Sequence, residues 1–328
     1  MNTDLRPLSL GEILDRTAQL YRSNFVLFVG IAVFPRAVLL VFQLLRILIT
    51  HAFVGNSLPT NAITIVATCV SVLLSLAFVG VGLAAINRAV SAIYLGEPTS
   101  IALAYEQVKP HWFRYLSLMF VSVLYAWGPV VLSYVAIFAV IGVNGQKLGV
   151  AGGPPNIVGL MVVGLAGFAL LFTFPYAVWM SLRYALAVPA SIFENIGVIA
   201  SLKRSVFLTR KGRGRIFVMV LLVGIVSWII LIAAEMPFLI TGIKAGFKAA
   251  RDHQAPQISL ISQLASQLIS FVVYSIIGPI YGIAITLFYY DERIRKEGFD
   301  IDWMMHRANL SGPEPPPIPL GPPQPVIE

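Results

Sequence analysis

Apolar residues along this chain gather into six long runs, at about residues 26–50, 63–86, 115–143, 157–182, 216–243 and 260–290. Each run exceeds the ~20 residues a helix needs to cross a bilayer, so six transmembrane helices with some tilt or kinking are expected. Before the first run, Leu10, Ile13, Leu14, Thr17, Ala18 and Tyr21 share one helical face, and Glu12, Asp15, Arg16, Gln19 and Arg22 the other. Ser9 and Glu12 stand at capping-box spacing, which predicts a helix start there. After Pro98, Ile101, Ala104, Tyr105, Val108 and Trp112 recur at helical spacing opposite Glu106, Gln107 and Lys109. After Asn195, Ile199, Leu202 and Val206 lie opposite Lys203, Arg204, Arg210 and Lys211. Each of these amphipathic stretches leads into a span. The expected fold is therefore an all-α integral membrane protein: six transmembrane helices in three hairpins, each preceded by an amphipathic interfacial helix. Residues 1–310 read as a single membrane domain, and 311–328 as a disordered Pro-rich tail.

Composition agrees with this reading. The 328 residues are 58% hydrophobic and only 12% charged, about half the charged fraction of soluble proteins, which excludes a soluble globular domain. The net charge of +8 lies between the spans, where it sets orientation and attracts anionic headgroups; no soluble basic domain is left to bind nucleic acid. Seventeen Lys and Arg residues fall on the side of the N-terminus and four on the opposite side. By the positive-inside rule both termini are expected in the cytoplasm, and the membrane is a cell inner (plasma) membrane. The single cysteine, Cys69, rules out an intrachain disulfide. The four histidines are scattered without metal-ligand spacing, and no nucleophile or phosphate-loop motif occurs, so no metal, cofactor or catalytic set is expected.

Polar residues inside the spans are the candidate chemistry, since a charge in hydrocarbon costs at least ~2.5 kcal/mol. Arg36, Gln43, Arg46 and Thr50 form one stripe of the first span, and Glu235 stands alone in the fifth. At 1.5 Å per residue, Glu235 and Arg46 both lie about 30 Å above the basic side, which predicts that they pair, while Arg36 needs another partner. Ser259, Ser262, Gln263, Ser266, Gln267 and Ser270 form a second stripe in the sixth span, continued by Tyr274 and Tyr281. Two accounts of Arg36 stand side by side. In one it faces a hydrated cavity and meets an anion; in the other it bonds carbonyls freed by the prolines that occur in five of the six spans. Lys203, Arg204, Arg210, Lys211, Arg213 and Arg215 form a candidate anionic-lipid surface. The closing Tyr289-Tyr290-Asp291-Glu292-Arg293 reads as a cap where the last span leaves the membrane.

The opening segment Leu5-Arg6-Pro7-Leu8-Ser9-Leu10-Gly11-Glu12-Ile13-Leu14-Asp15 and the closing Tyr290-Asp291-Glu292-Arg293-Ile294-Arg295-Lys296-Glu297-Gly298-Phe299-Asp300 resemble a bacterial integral membrane family. It is the family named for the membrane domain of glycerophosphoryl diester phosphodiesterase. The resemblance implies a six-helix membrane domain, here without the catalytic barrel that accompanies it in some members. The expected function is a non-enzymatic accessory or scaffold protein that binds anionic lipid, a protein partner, or both. The alternatives are a small transporter or permease component for a lipid-derived or amphiphilic substrate and, third, a membrane-embedded hydrolase.

Overall fold

Ser9 opens the first helix as its spacing from Glu12 requires. The Ser9 N–H donates to Glu12 Oε2 at 2.7 Å and the Glu12 N–H donates to Ser9 Oγ at 3.3 Å, a reciprocal capping box. These backbone and side-chain bonds from Ser9, together with the Arg6 guanidinium, hold the Glu12 carboxyl down at about 2. In a computed structural model that describes residues 6–53, 60–144, 157–252, 258–299, 301 and 305, this helix, α1 (Leu10–Ser23), is followed by nine more. They are α2 (Phe25–Phe53), α3 (Thr60–Leu95), α4 (Ile101–Val108), α5 (Trp112–Asn144), α6 (Ile157–Tyr184), α7 (Ala187–Phe193), α8 (Val198–Thr209), α9 (Arg213–Asp252) and α10 (Leu260–Glu297). A 3-10 turn, Lys109–His111, joins α4 to α5.

The protein is all-α among the described residues, and six helices are long and apolar enough to cross a membrane. They pack as the hairpins α2–α3, α5–α6 and α9–α10, with α10 also lying against α2, α3 and α1. One short helix precedes each of the first two hairpins, and two, α7 and α8, precede the third. Starts of α2, α5 and α9 and ends of α3, α6 and α10 thus gather at one end of the bundle, with the short helices. This is the basic end. The Pro-rich tail over 311–328, Lys147, His253, His306 and Arg307 lie outside the described residues.

Three helices run well past the expected spans: α3, α9, which reaches Asp252 and not 243, and α10. The second span was expected to stop at 86, yet α3 continues to Leu95 because its polar residues are buried against α10 instead of meeting water. Thr286 Oγ1 spends its one proton on the Gly282 carbonyl at 2.8 Å, so the Asn87 amide N–H donates to Thr286 Oγ1 at 2.9 Å. Ser91 Oγ lies 2.7 Å from the Tyr290 hydroxyl, and Tyr94 stacks on the Tyr290 ring at 5.3 Å. Gly282 makes the approach possible, since a Cβ there would meet Ile86 Cγ2 at 2.7 Å. Likewise Tyr289, Tyr290, Asp291 and Glu292 do not cap an exit into water: all four are buried, and α10 continues to Glu297.

Asp291 holds this end together. Its Oδ1 accepts the Leu8 backbone N–H at 2.7 Å, and its carboxylate accepts from Arg215 at 2.8 Å and Arg295 at 3.0 Å. Both arginines also donate to the Leu8 carbonyl, at 2.9 and 2.6 Å. The chain just ahead of α1, the start of α9 and the end of α10 therefore share one polar knot. Glu292 beside it pairs with Lys296 at 3.0 Å and Arg215 at 3.6 Å.

In α4 the expected face is the buried one at Ala104 and Val108, whereas α1 and α8 use their faces as follows. In α1, Ile13, Thr17 and Leu20 are buried and the helix packs on α10, so the face offered to the membrane surface is covered by protein. In α8 the buried face is Ser201, Leu202, Ser205, Leu208 and Thr209, whereas Ile199 is exposed. The reason is the break after α6. Ser205 Oγ donates to the Arg183 carbonyl at 2.8 Å and accepts the Leu186 N–H at 3.1 Å, satisfying groups that a helix end leaves free. Apolar α7, from Ala187 to Ile192 wholly buried, fills the space beneath.

Asp291→Asn should lower stability by about 3 kcal/mol, because it strips the charge from a buried carboxylate that faces two guanidinium groups. Chemical unfolding in mild detergent measures this. Asp15→Asn, on the exposed side of α1, should stay within about 0.5 kcal/mol of the parent.

Candidate functional site

Pro35 sits within α2 and lacks the N–H that would bond the Ile31 carbonyl four residues back. That carbonyl is not left to Arg36. The Tyr105 hydroxyl of α4 donates to it at 2.6 Å. In α10 the Tyr21 hydroxyl donates to the Ile276 carbonyl at 2.6 Å, one residue past the carbonyl that Pro279 leaves without its helical donor. Two tyrosines of the short helices thus bond backbone carbonyls beside the prolines of α2 and α10.

Arg36 is left facing space. Its guanidinium carbon lies 4.9 Å from the centre of the Tyr274 ring, and it makes no hydrogen bond or ion pair among the described residues. It stands between two cavities that share Arg36, Leu39 and Tyr274. The first, of about 250 Å³, is mostly apolar, with Pro35, Phe78, Met119 and Tyr281 in its wall. The second, of about 240 Å³, is polar, with Gln43, Ser75, Gln267 and Ser270 around Arg36. Gln43 Oε1 is buried there without a partner. A guanidinium with free N–H groups, an aromatic face and amide and hydroxyl side chains suits the recognition of an anion that carries an apolar part.

The remaining stripe residues divide. Glu235 does not pair with Arg46: it accepts from Ser266 at 2.8 Å and from Ser270, which also lines the polar cavity. Depth alone suggested the pair, but α10 lies between α2 and α9 and its serines reach the carboxylate first. Gln263 is near the far end of α10, where its amide lies 3.2 Å from His51 Nε2 and donates to the Ile258 carbonyl at 3.0 Å. Arg36, Gln43 and Gln267 are together; Arg46, Glu235 and Gln263 are not with them.

The expected lipid surface also divides. Arg204 pairs with Glu194 at 2.8 Å and Glu297 at 2.5 Å; burial pushes its pKa down, and the two carboxylates more than restore it, leaving it raised. Arg215 is committed to Asp291, Glu292 and Leu8. These two are internal struts, so they do not contribute to a lipid-facing surface. Lys203, Arg210 and Lys211 are exposed, and Arg213 lies over the Trp179 ring of α6 at 5.5 Å. Sequence reasoning missed Tyr105, Tyr21 and Trp179. For the two tyrosines a signal existed, an aromatic hydroxyl on a short helix beside a proline-bearing span, but nothing in spacing said which carbonyl each would meet.

No group of three metal-ligating side chains occurs among the described residues. Fold and cavity together define a multi-pass α-helical integral membrane protein. The chain belongs to the family described as a domain of unknown function, DUF7847, whose profile matches residues 8–292. No curated protein and no solved structure matches it.

A double-mutant cycle on Arg46→Gln and Glu235→Gln should show a coupling energy within about 0.5 kcal/mol of zero, since α10 separates the two side chains. Ser270→Ala with Glu235→Gln should show a clear coupling. Unfolding in mild detergent reads both cycles.

Proposed function

We propose that this protein is a non-enzymatic accessory or scaffold protein of the cell inner (plasma) membrane, which binds an anionic lipid or lipid-derived molecule at Arg36. One observation carries the reading: a cation in the membrane-spanning part of α2 that lies over the Tyr274 ring, makes no hydrogen bond or ion pair among the described residues, and is set between an apolar and a polar cavity. An uncompensated guanidinium in a low-dielectric setting is costly, and an anionic headgroup in the polar cavity removes that cost. The apolar cavity then takes the hydrocarbon next to the headgroup. The excess of Lys and Arg at the basic end supports an orientation with that end, and both termini, in the cytoplasm. The resemblance of the two chain ends to the glycerophosphodiesterase membrane-domain family makes a glycerophosphate-bearing lipid the first ligand to try.

A second reading is a small transporter or permease component. It is favoured by the way the cavities follow one another along α2 from Ala32 to Gln43, a rise of about 17 Å, beside α10 with its internal Pro279. Flux of a labelled glycerophospholipid analogue into proteoliposomes separates the two: transport supports the second reading, and binding without flux the first.

Native mass spectrometry of the protein released from its own membrane in mild detergent tests the site. Wild type should hold a stoichiometric anionic lipid or glycerophospho-compound, and Arg36→Gln should retain it at least about tenfold less, the value of roughly one charge-assisted hydrogen bond. Equal retention by both forms removes Arg36 from the site.

A further inference from the structure

The basic end carries a pair of cations that meet no carboxylate among the described residues. Arg183, in the last turn of α6, and Arg213, the first residue of α9, both lie over the ring of Trp179, with guanidinium carbons 5.3 and 5.5 Å from its centre. Neither makes an ion pair among the described residues, and the Nε of each is buried without a partner. The contrast with their neighbours is sharp: Arg204, Arg215, Arg293 and Arg295 each meet a carboxylate. The carboxylate beside this turn, Glu292, lies against Gly212 and is already taken by Arg215 and Lys296.

Placement is fixed from behind. Ser205 and Thr209 of α8 both donate to the Arg183 carbonyl, at 2.8 and 3.4 Å, which anchors the end of α6 against α8. Trp179 is 42% exposed on the outer surface of the bundle, and Arg210 and Lys211 are exposed in the turn that leads into α9. Two guanidinium groups over one indole repel each other, and the ring quadrupole offsets only part of this. An anion that accepts from both forks completes the arrangement. A phosphodiester fits, with two non-bridging oxygens for two planar donors. A Trp at the boundary of a membrane-spanning helix is where an interfacial headgroup is found, and basic pockets between helices at that level bind anionic lipids.

We propose that Arg183, Arg213 and Trp179 hold the phosphodiester headgroup of one anionic phospholipid at the basic end, a site separate from the Arg36 cavity and independent of it. The two lie on different helices and share no residue. Arg213 belonged to the expected basic surface, while Arg183 and Trp179 come from another helix and make the surface a site.

The test uses the full chain in nanodiscs of equal parts phosphatidylcholine and phosphatidylglycerol, followed by native mass spectrometry after release into detergent. Wild type should keep one phosphatidylglycerol that the double variant Arg183→Gln, Arg213→Gln loses by about tenfold. Arg36→Gln should keep it, which separates this site from the cavity. The double lysine variant, which retains charge without the planar fork, should fall between, and Trp179→Leu, which removes no charge, should weaken retention less than the glutamine pair. Should the glutamine pair fail to elute as a folded species, the lysine pair and Trp179→Leu carry the test. Equal retention in wild type and all folded variants overturns the proposal. So does loss of the bound lipid to excess inorganic phosphate, which would make this a site for free phosphate and not for a membrane lipid.

Discussion

Asp291 is a carboxylate with no access to water, and the arrangement of the basic end follows from the need to neutralise it. One charge buried in the last helix draws in a guanidinium from the start of α9, another from the next turn of its own helix, and the backbone N–H of Leu8. The arginines then have donors to spare, and they use them on the Leu8 carbonyl. Both polar groups of one backbone unit are thereby satisfied without water, which allows the chain to pass close to the bundle and places α1 on α10. Around this knot stand further satisfied pairs: Glu194 accepting from Tyr289 and Arg204, and Lys296 donating to the Leu208 carbonyl. The basic end is a polar core that happens to lie at a membrane boundary.

That core limited what could be read from the sequence. The six long helices were legible because hydrocarbon imposes a minimum length of apolar residues, and the capping box of α1 because its two partners are three residues apart. The ends of α3 and α10 were not. Asn87, Ser91 and Asp291 look like residues emerging into water, and only partners about 200 residues away, or a backbone unit 283 residues away, show them to be interior. The faces of α8 failed for a related reason: its serines answer to the broken end of α6, a local event in space that leaves no periodic trace in the sequence.

The intramembrane stripes were partly legible. Spacing along α2 and α10 identifies which side chains share a face, and so Arg36, Gln43 and Gln267 come together as their faces suggest. Height along a helix says nothing about direction around it, and the Arg46–Glu235 pair failed on that missing coordinate. The prolines were read as a source of free carbonyls for Arg36. Tyr105 reaches the Ile31 carbonyl instead, and this leaves the arginine as a group whose chemistry the fold does not absorb.

The bond between Leu8 and Asp291 also has a bearing on how the protein is made. A chain is synthesised from its N-terminus, so α1 emerges first and the helix that receives it emerges last. Throughout that interval Ile13, Thr17 and Leu20 have no α10 to cover them, and the bilayer surface is the nearest apolar place for that face. The amphipathic pattern of α1 is of the kind a bilayer surface can hold, and the packed arrangement against α10 is the one the fold adopts. The sixth helix is the one that closes the bundle over α1, and a chain stopped short of it would leave Ile13, Thr17 and Leu20 without the surface that buries them.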